Sequence, residues 1–92
     1  MGTEPRLQRI QMGREAGLRR SGGRGFRVHV FDLSPEGCKI EFIERPAISE
    51  RVWVKFDGLE AIEATVRWIE GHIGGLRFEH PLHDAVFQRL AQ

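Results

Sequence analysis

Ninety-two residues, 40% of them hydrophobic and 29% charged, make one ordinary globular domain with a single core and no room for a deep enzyme cleft. No apolar run approaches the roughly 20 residues of a membrane-spanning helix, and the lone Cys38 has no partner for an internal disulfide, which fits a reducing cytoplasm. The net charge of +1 hides a split: residues 1–27 carry seven arginines against Glu4 and Glu15, a balance of +5, and the remaining 65 residues balance at −4, which implies a positive end that attracts anions.

Alternation of apolar and polar residues dominates the chain, the mark of strands with one buried face. Ile10, Met12, Ala16 and Leu18 define a first strand of about ten residues, with Arg14 as its irregularity. Ser21 to Gly25 form a glycine-rich turn, in which Arg20 and Arg24 are expected to stay in solvent. Phe26, Val28 and Val30 start a second strand that runs on to Leu33. Ser34 to Gly37 turn again, and Cys38, Ile40 and Phe42 lead a third strand that Pro46 ends.

Val52, Val54 and Phe56 form a fourth strand, in which Trp53 is out of phase and either exposed or folded over a barrel end. Ile62, Ala64, Val66 and Trp68 form a fifth, with Trp68 in phase with the core. Gly71, Gly74 and Gly75 break the pattern before a short sixth strand at Leu76 and Phe78. Leu82, Val86, Phe87 and Leu90 then fall on one helical face, after Pro81. Close succession of strands with short turns predicts an all-β fold: a six-stranded antiparallel barrel with a short C-terminal helix. Residues 1–8 are expected to be a flexible basic segment, and 9–92 the barrel. The N-terminal residues lack the apolar stretch of a secretory leader, so cytoplasmic residence is the default.

Asp32-Leu33-Ser34-Pro35-Glu36-Gly37 has the form DxSxxG at a strand end, and Arg9 precedes Asp32 by 22 intervening residues. Together with Val66-Arg67-Trp68 and Gly75-Leu76-Arg77-Phe78, this resembles the PilZ domain family across about residues 5–90. The family pairs DxSxxG with an upstream RxxxR; here Arg6 and Arg9 stand one residue too close, and Pro5 occupies the position of the first arginine.

The resemblance implies a non-enzymatic, cytoplasmic signalling adaptor for the bacterial second messenger cyclic di-GMP, without a cofactor. It implies ligand contacts from Arg9, Asp32, Ser34 and Gly37, with Arg6 as a displaced substitute for the missing arginine. Arginine forks suit phosphate oxygens and the O6 and N7 edge of guanine, and Asp32 can accept from guanine N1 and N2 donors. A protein partner is expected, with no DNA and no membrane insertion, and the chain as monomer or homodimer. Pro5 supports an alternative: a PilZ-like interaction module that has lost the nucleotide. A hairpin turn capped by Asp32 and Ser34 accounts for the same string without any ligand. His80 and His83 are read as surface or helix-start residues and not metal ligands, and Cys38 as a small core residue.

Overall fold

The computed structural model describes residues 9–92. Six strands follow one another: β1 (Ile10–Arg20), β2 (Gly25–Ser34), β3 (Gly37–Glu41), β4 (Arg51–Lys55), β5 (Ile62–Glu70) and β6 (Ile73–Phe78), then the helix α1 (Asp84–Ala91). All pairings are antiparallel, and the order β1-β2-β3-β6-β5-β4 closes into a barrel where Gly17–Arg20 of β1 meet Val52–Lys55 of β4. Among the described residues no helix is long and apolar enough to cross a membrane.

Side chains fill the interior. Val30, Leu33, Ile40, Val52, Val54, Phe56 and Val66 are fully buried at its centre, and so many β-branched residues suit both the pleat and the burial. Cys38 joins them, as expected. The helix adds Phe87 and Leu90 to this core. It starts at Asp84, later than Pro81 suggests, because the His83 Nδ1 accepts from the Ala85 amide at 3.2 Å and so caps the first turn. Arg14 closes this end, its Nη2 donating to the Gln92 carbonyl at 2.8 Å.

Three offsets interrupt the strand pairing, between Gln11 and Arg14 in β1, Val30 and Asp32 in β2, and Val66 and Trp68 in β5. Each is a β-bulge, where one extra residue reverses the inward and outward faces that follow it. The first explains why Arg14 breaks the β1 pattern. The third overturns an expectation: Trp68 is not a core residue but 43% exposed, and Ile69 packs on the core in its place.

Two other readings are corrected. Gly74 and Gly75 do not break the chain but lie inside β6, paired with Ile40 and Lys39 of β3. A Cβ at Gly74 would stand 2.5 Å from the Phe42 ring, and one at Gly75 would run into the Trp68 indole; the glycines make room for aromatic side chains. Nor does Arg20 stay in solvent. Its Nε and Nη2 donate to Glu50 Oε2 and Oε1 at 2.5 and 2.8 Å, with Glu44 at 3.7 Å. Trp53, the open case, is half-buried under the Arg19 guanidinium, 4.5 Å from the ring centroid.

The Arg20–Glu50 fork ties the β1–β2 hairpin to the loop entering β4, and Glu50 Oε1 also accepts from the Ala47 amide at 3.0 Å. The Arg20 hydrogen bonds hold the Glu50 carboxyl below its ordinary value of 4.5, against the upward push of burial. A folded value below the unfolded one means that the stabilisation is complete above about pH 4.5 and is lost as the pH falls through the folded value. Glu50→Gln is expected to cost about 1–2 kcal/mol near neutral pH, and urea unfolding across the acidic range should show the gap to the unaltered protein narrowing below the ordinary carboxyl value.

Candidate functional site

The site is assembled where β2 turns into β3. Val28 and Val30 point into the barrel, so strict alternation would bury Asp32; the bulge at Phe31 instead gives the core position to Leu33 and turns Asp32 and Ser34 outward. Pro35 and Glu36 make the two-residue connection, and Ser34 pairs with Gly37. The turn is clamped from outside: the Phe78 amide donates to the Glu36 carbonyl and the Leu82 amide to the Pro35 carbonyl, each at 2.8 Å. Ser34 Oγ lies 3.4 Å from the Gly37 carbonyl. Gly37 itself serves packing, since any Cβ there would collide with the Leu76 carbonyl of the neighbouring β6.

An open depression of about 270 Å³ lies beside this turn. Asp32, Ser34 and Gly37 line it from the corner, Arg9 from the residue just ahead of β1, and Trp68 with Arg67 from the β5 bulge. Lys39 and Arg77 complete its charged lining, and Lys39 Nζ stands 3.7 Å from Asp32 Oδ2. Four cationic side chains thus face two carboxylates, those of Asp32 and Glu36. A volume below the roughly 300–1,000 Å³ of an enclosing ligand site suits one base and an adjoining phosphate, with the remainder of a larger ligand on the surface. Chemically, an indole face can stack on a base, cations can pair with phosphate, and a carboxylate such as that of Asp32 can accept from a donor edge.

The sequence model of the PilZ domain matches residues 3–92. The chain belongs to the PilZ domain family. No curated protein matches it. PilZ domains are cyclic di-GMP-binding signalling modules, a binding and adaptor family and not a catalytic one.

Of the residues singled out for ligand, Arg9, Asp32, Ser34 and Gly37 are brought together in one depression. Arg6 and Pro5 lie outside the described residues. The depression also contains Lys39, Arg67, Trp68 and Arg77, which the sequence reading did not assign. Alternation pointed Trp68 inward, and nothing in the sequence announces the bulge that turns it out. The charge split is reflected there only through Arg9 among the described residues, because Arg14 binds Gln92, Arg19 covers Trp53, Arg20 holds Glu50, and Arg27 lies between Glu15 and Asp57. Three of the four cations of the depression come from residues 28–92, the part of the chain with net negative charge.

His83 is occupied as a helix cap, and among the described residues no three His, Cys, Asp or Glu side chains gather as a metal site would require. Cys38 borders the depression but is buried, and desolvation followed by the charge of Asp32 pushes its thiol up to about 12. The thiol is therefore expected to resist a disulfide reagent at mildly alkaline pH until the protein unfolds, as absorbance of the released thiolate would show. Gly37→Ala is expected to lower stability by about 1–3 kcal/mol through overpacking against β6, with the loss read by thermal unfolding without ligand.

Proposed function

We propose that this PilZ domain binds cyclic di-GMP at the β2–β3 corner and passes the signal on through a ligand-dependent protein contact. The observation that supports this best is the convergence of Arg9, Asp32 and Ser34 with the exposed Trp68 on one cationic depression. In this reading one guanine stacks on Trp68 and donates to Asp32, and Arg9 with Arg77 pairs with phosphate. Lys39, 3.7 Å from Asp32, keeps that carboxylate partnered until the ligand takes its place. Residues 1–8 act as a basic strap and 9–92 as the barrel it closes on, with Arg6 supplying a second guanidinium. Ordering that strap changes the surface seen by a partner, so ligand and partner affinities are coupled by the same factor in both directions. The bare chain acts as monomer or homodimer in the cytoplasm.

A second reading rests on Pro5, which stands where the family has its first arginine when the chain is aligned on Arg9. Loss of one charge-assisted contact costs about 1.5–3 kcal/mol, enough to leave a module that works through protein contacts alone.

Calorimetric titration with cyclic di-GMP, with single-stranded DNA as control, separates the two. The first reading expects micromolar or tighter binding of the nucleotide alone, quenching of tryptophan fluorescence, and at least about tenfold weakening in Arg9→Ala, Asp32→Ala and Trp68→Ala, each loss corresponding to about 1.4 kcal/mol. Binding restored only by Pro5→Arg would trace the loss of the nucleotide to that residue alone; silence in both proteins would rule out the nucleotide site and leave the interaction module standing.

A further inference from the structure

The barrel wall has two gaps, treated differently. On one side β1 pairs with β4 only over Gly17–Arg20, and α1 adds Phe87 and Leu90 to the core while Arg14 of β1 holds the residue that follows the helix. On the other side β2 pairs with β1 from Gly25 onward, but with β3 only from Val30 to Ser34. β3 ends at Glu41, and the chain then stays with β6, the Phe42 amide donating to the His72 carbonyl at 2.6 Å. Gly25–His29 therefore lie beyond the last register pair of β2 with β3 and present a strand edge whose register partners are those of β1. Such an edge is a template for another strand.

The groove along this edge has a volume of about 420 Å³. Val28 and Phe42, both buried, form its floor, and Ile43 its apolar rim. Phe26 lies at the end of the groove beside Ile43 and Glu44. Phe26 and Ile43 are 38% and 57% exposed, so the apolar surface continues out of the floor. Charge decides what fits between the apolar anchors. Arg27 is engaged by Glu15 and Asp57, at 3.5 and 3.4 Å, and Arg20 by Glu50. Glu41 forms no ion pair with another described residue, and the Glu44 side chain is 77% exposed. His29 and His72 complete the lining. With Glu44 3.7 Å from Arg20 and Glu15 held by Arg27, Glu41 is the rim carboxylate that has no ion pair among the described residues.

We propose that the Gly25–His29 edge accepts an extended segment of a partner protein as an added strand, with apolar side chains at alternate positions and Lys or Arg between them. Inward residues of the added strand cover Val28 and Phe42, outward ones meet Glu41, and the backbone satisfies the free edge of β2. Five edge residues span about 17 Å, which sets the length of the recognised segment. This interface forms without bound nucleotide.

The test uses the ¹⁵N-labelled full chain and a capped synthetic peptide, Lys-Val-Lys-Val-Lys-Val, with Glu-Val-Glu-Val-Glu-Val as its counterpart. The lysine peptide is expected to shift the amides of Phe26–His29 and Phe42–Glu44, slow hydrogen exchange on β2, and bind at least tenfold more tightly than the glutamate peptide. The double variant Phe26→Ser with Ile43→Ser, shown folded by its spectrum, should bind at least fivefold more weakly, and Glu41→Lys should erase the preference between peptides. Shifts centred on Trp68, equal affinity for both peptides, or no shift at millimolar peptide would overturn the proposal. So would self-association of the free chain through the same amides, because the edge would then belong to a second copy.

Discussion

Successive side chains of a strand leave on opposite faces, and a small barrel packed solid with Val30, Leu33, Ile40 and Phe56 has nothing inside to offer a polar ligand. Whatever this domain binds must lie on its outer wall, and any polar residue in phase with the core has to be taken out of phase to reach it. The bulges at Phe31 and Arg67 do this. One moves Asp32 and Ser34 outward and hands the interior to Leu33; the other moves Trp68 outward and hands the interior to Ile69. Both border the same depression. An extra residue costs some ladder hydrogen bonding locally, and the clamp of Phe78 and Leu82 on the Pro35–Glu36 turn offsets that loss where precision is needed.

The glycines of β3 and β6 are the second condition. Gly37 allows β3 to approach the Leu76 carbonyl, and Gly75 leaves space for the Trp68 indole. Without the second, a side chain at position 75 would occupy the place of the outward indole. Residues that look like pattern breakers in sequence are therefore the reason an aromatic surface and a carboxylate stand together on one wall. Their contribution is steric: neither Gly37, Gly74 nor Gly75 has the left-handed backbone that only glycine adopts freely.

The succession of six strands, the C-terminal helix and most of the buried faces of β1 to β4 were legible because period two and period 3.6 survive in the sequence. The DxSxxG corner and Arg9 were legible through the family. What was hidden has one physical origin. A bulge adds one residue to a pairing between segments distant in sequence, so Val66-Arg67-Trp68 reads as regular alternation until Gly75 and Leu76 are placed opposite it. Charge was hidden for a related reason: the arginines of β1 and β2 are neighbours in the chain but are spread along the two strands, and each of Arg14, Arg19, Arg20 and Arg27 finds a partner elsewhere on the wall. Lys39, Arg67 and Arg77 come instead from acidic surroundings in sequence.

β2 is the element on which the two proposed activities meet. Its C-terminal half is paired on both sides and carries Asp32 and Ser34; its N-terminal half is paired on one side and carries the open edge. The bulge at Phe31 stands between them, with the His29 and Phe31 rings packed edge to face at 4.6 Å between centroids. A strand bonded along its whole length transmits changes in twist, and a bulge is where twist is most readily adjusted. A ligand that replaces Lys39 as the partner of Asp32 acts on the β2–β3 pairing one residue beyond that bulge. An added strand acts on β2 two residues before it. The same short segment thus gives a physical route by which occupancy of the corner and occupancy of the edge would each bias the other, without movement of the core.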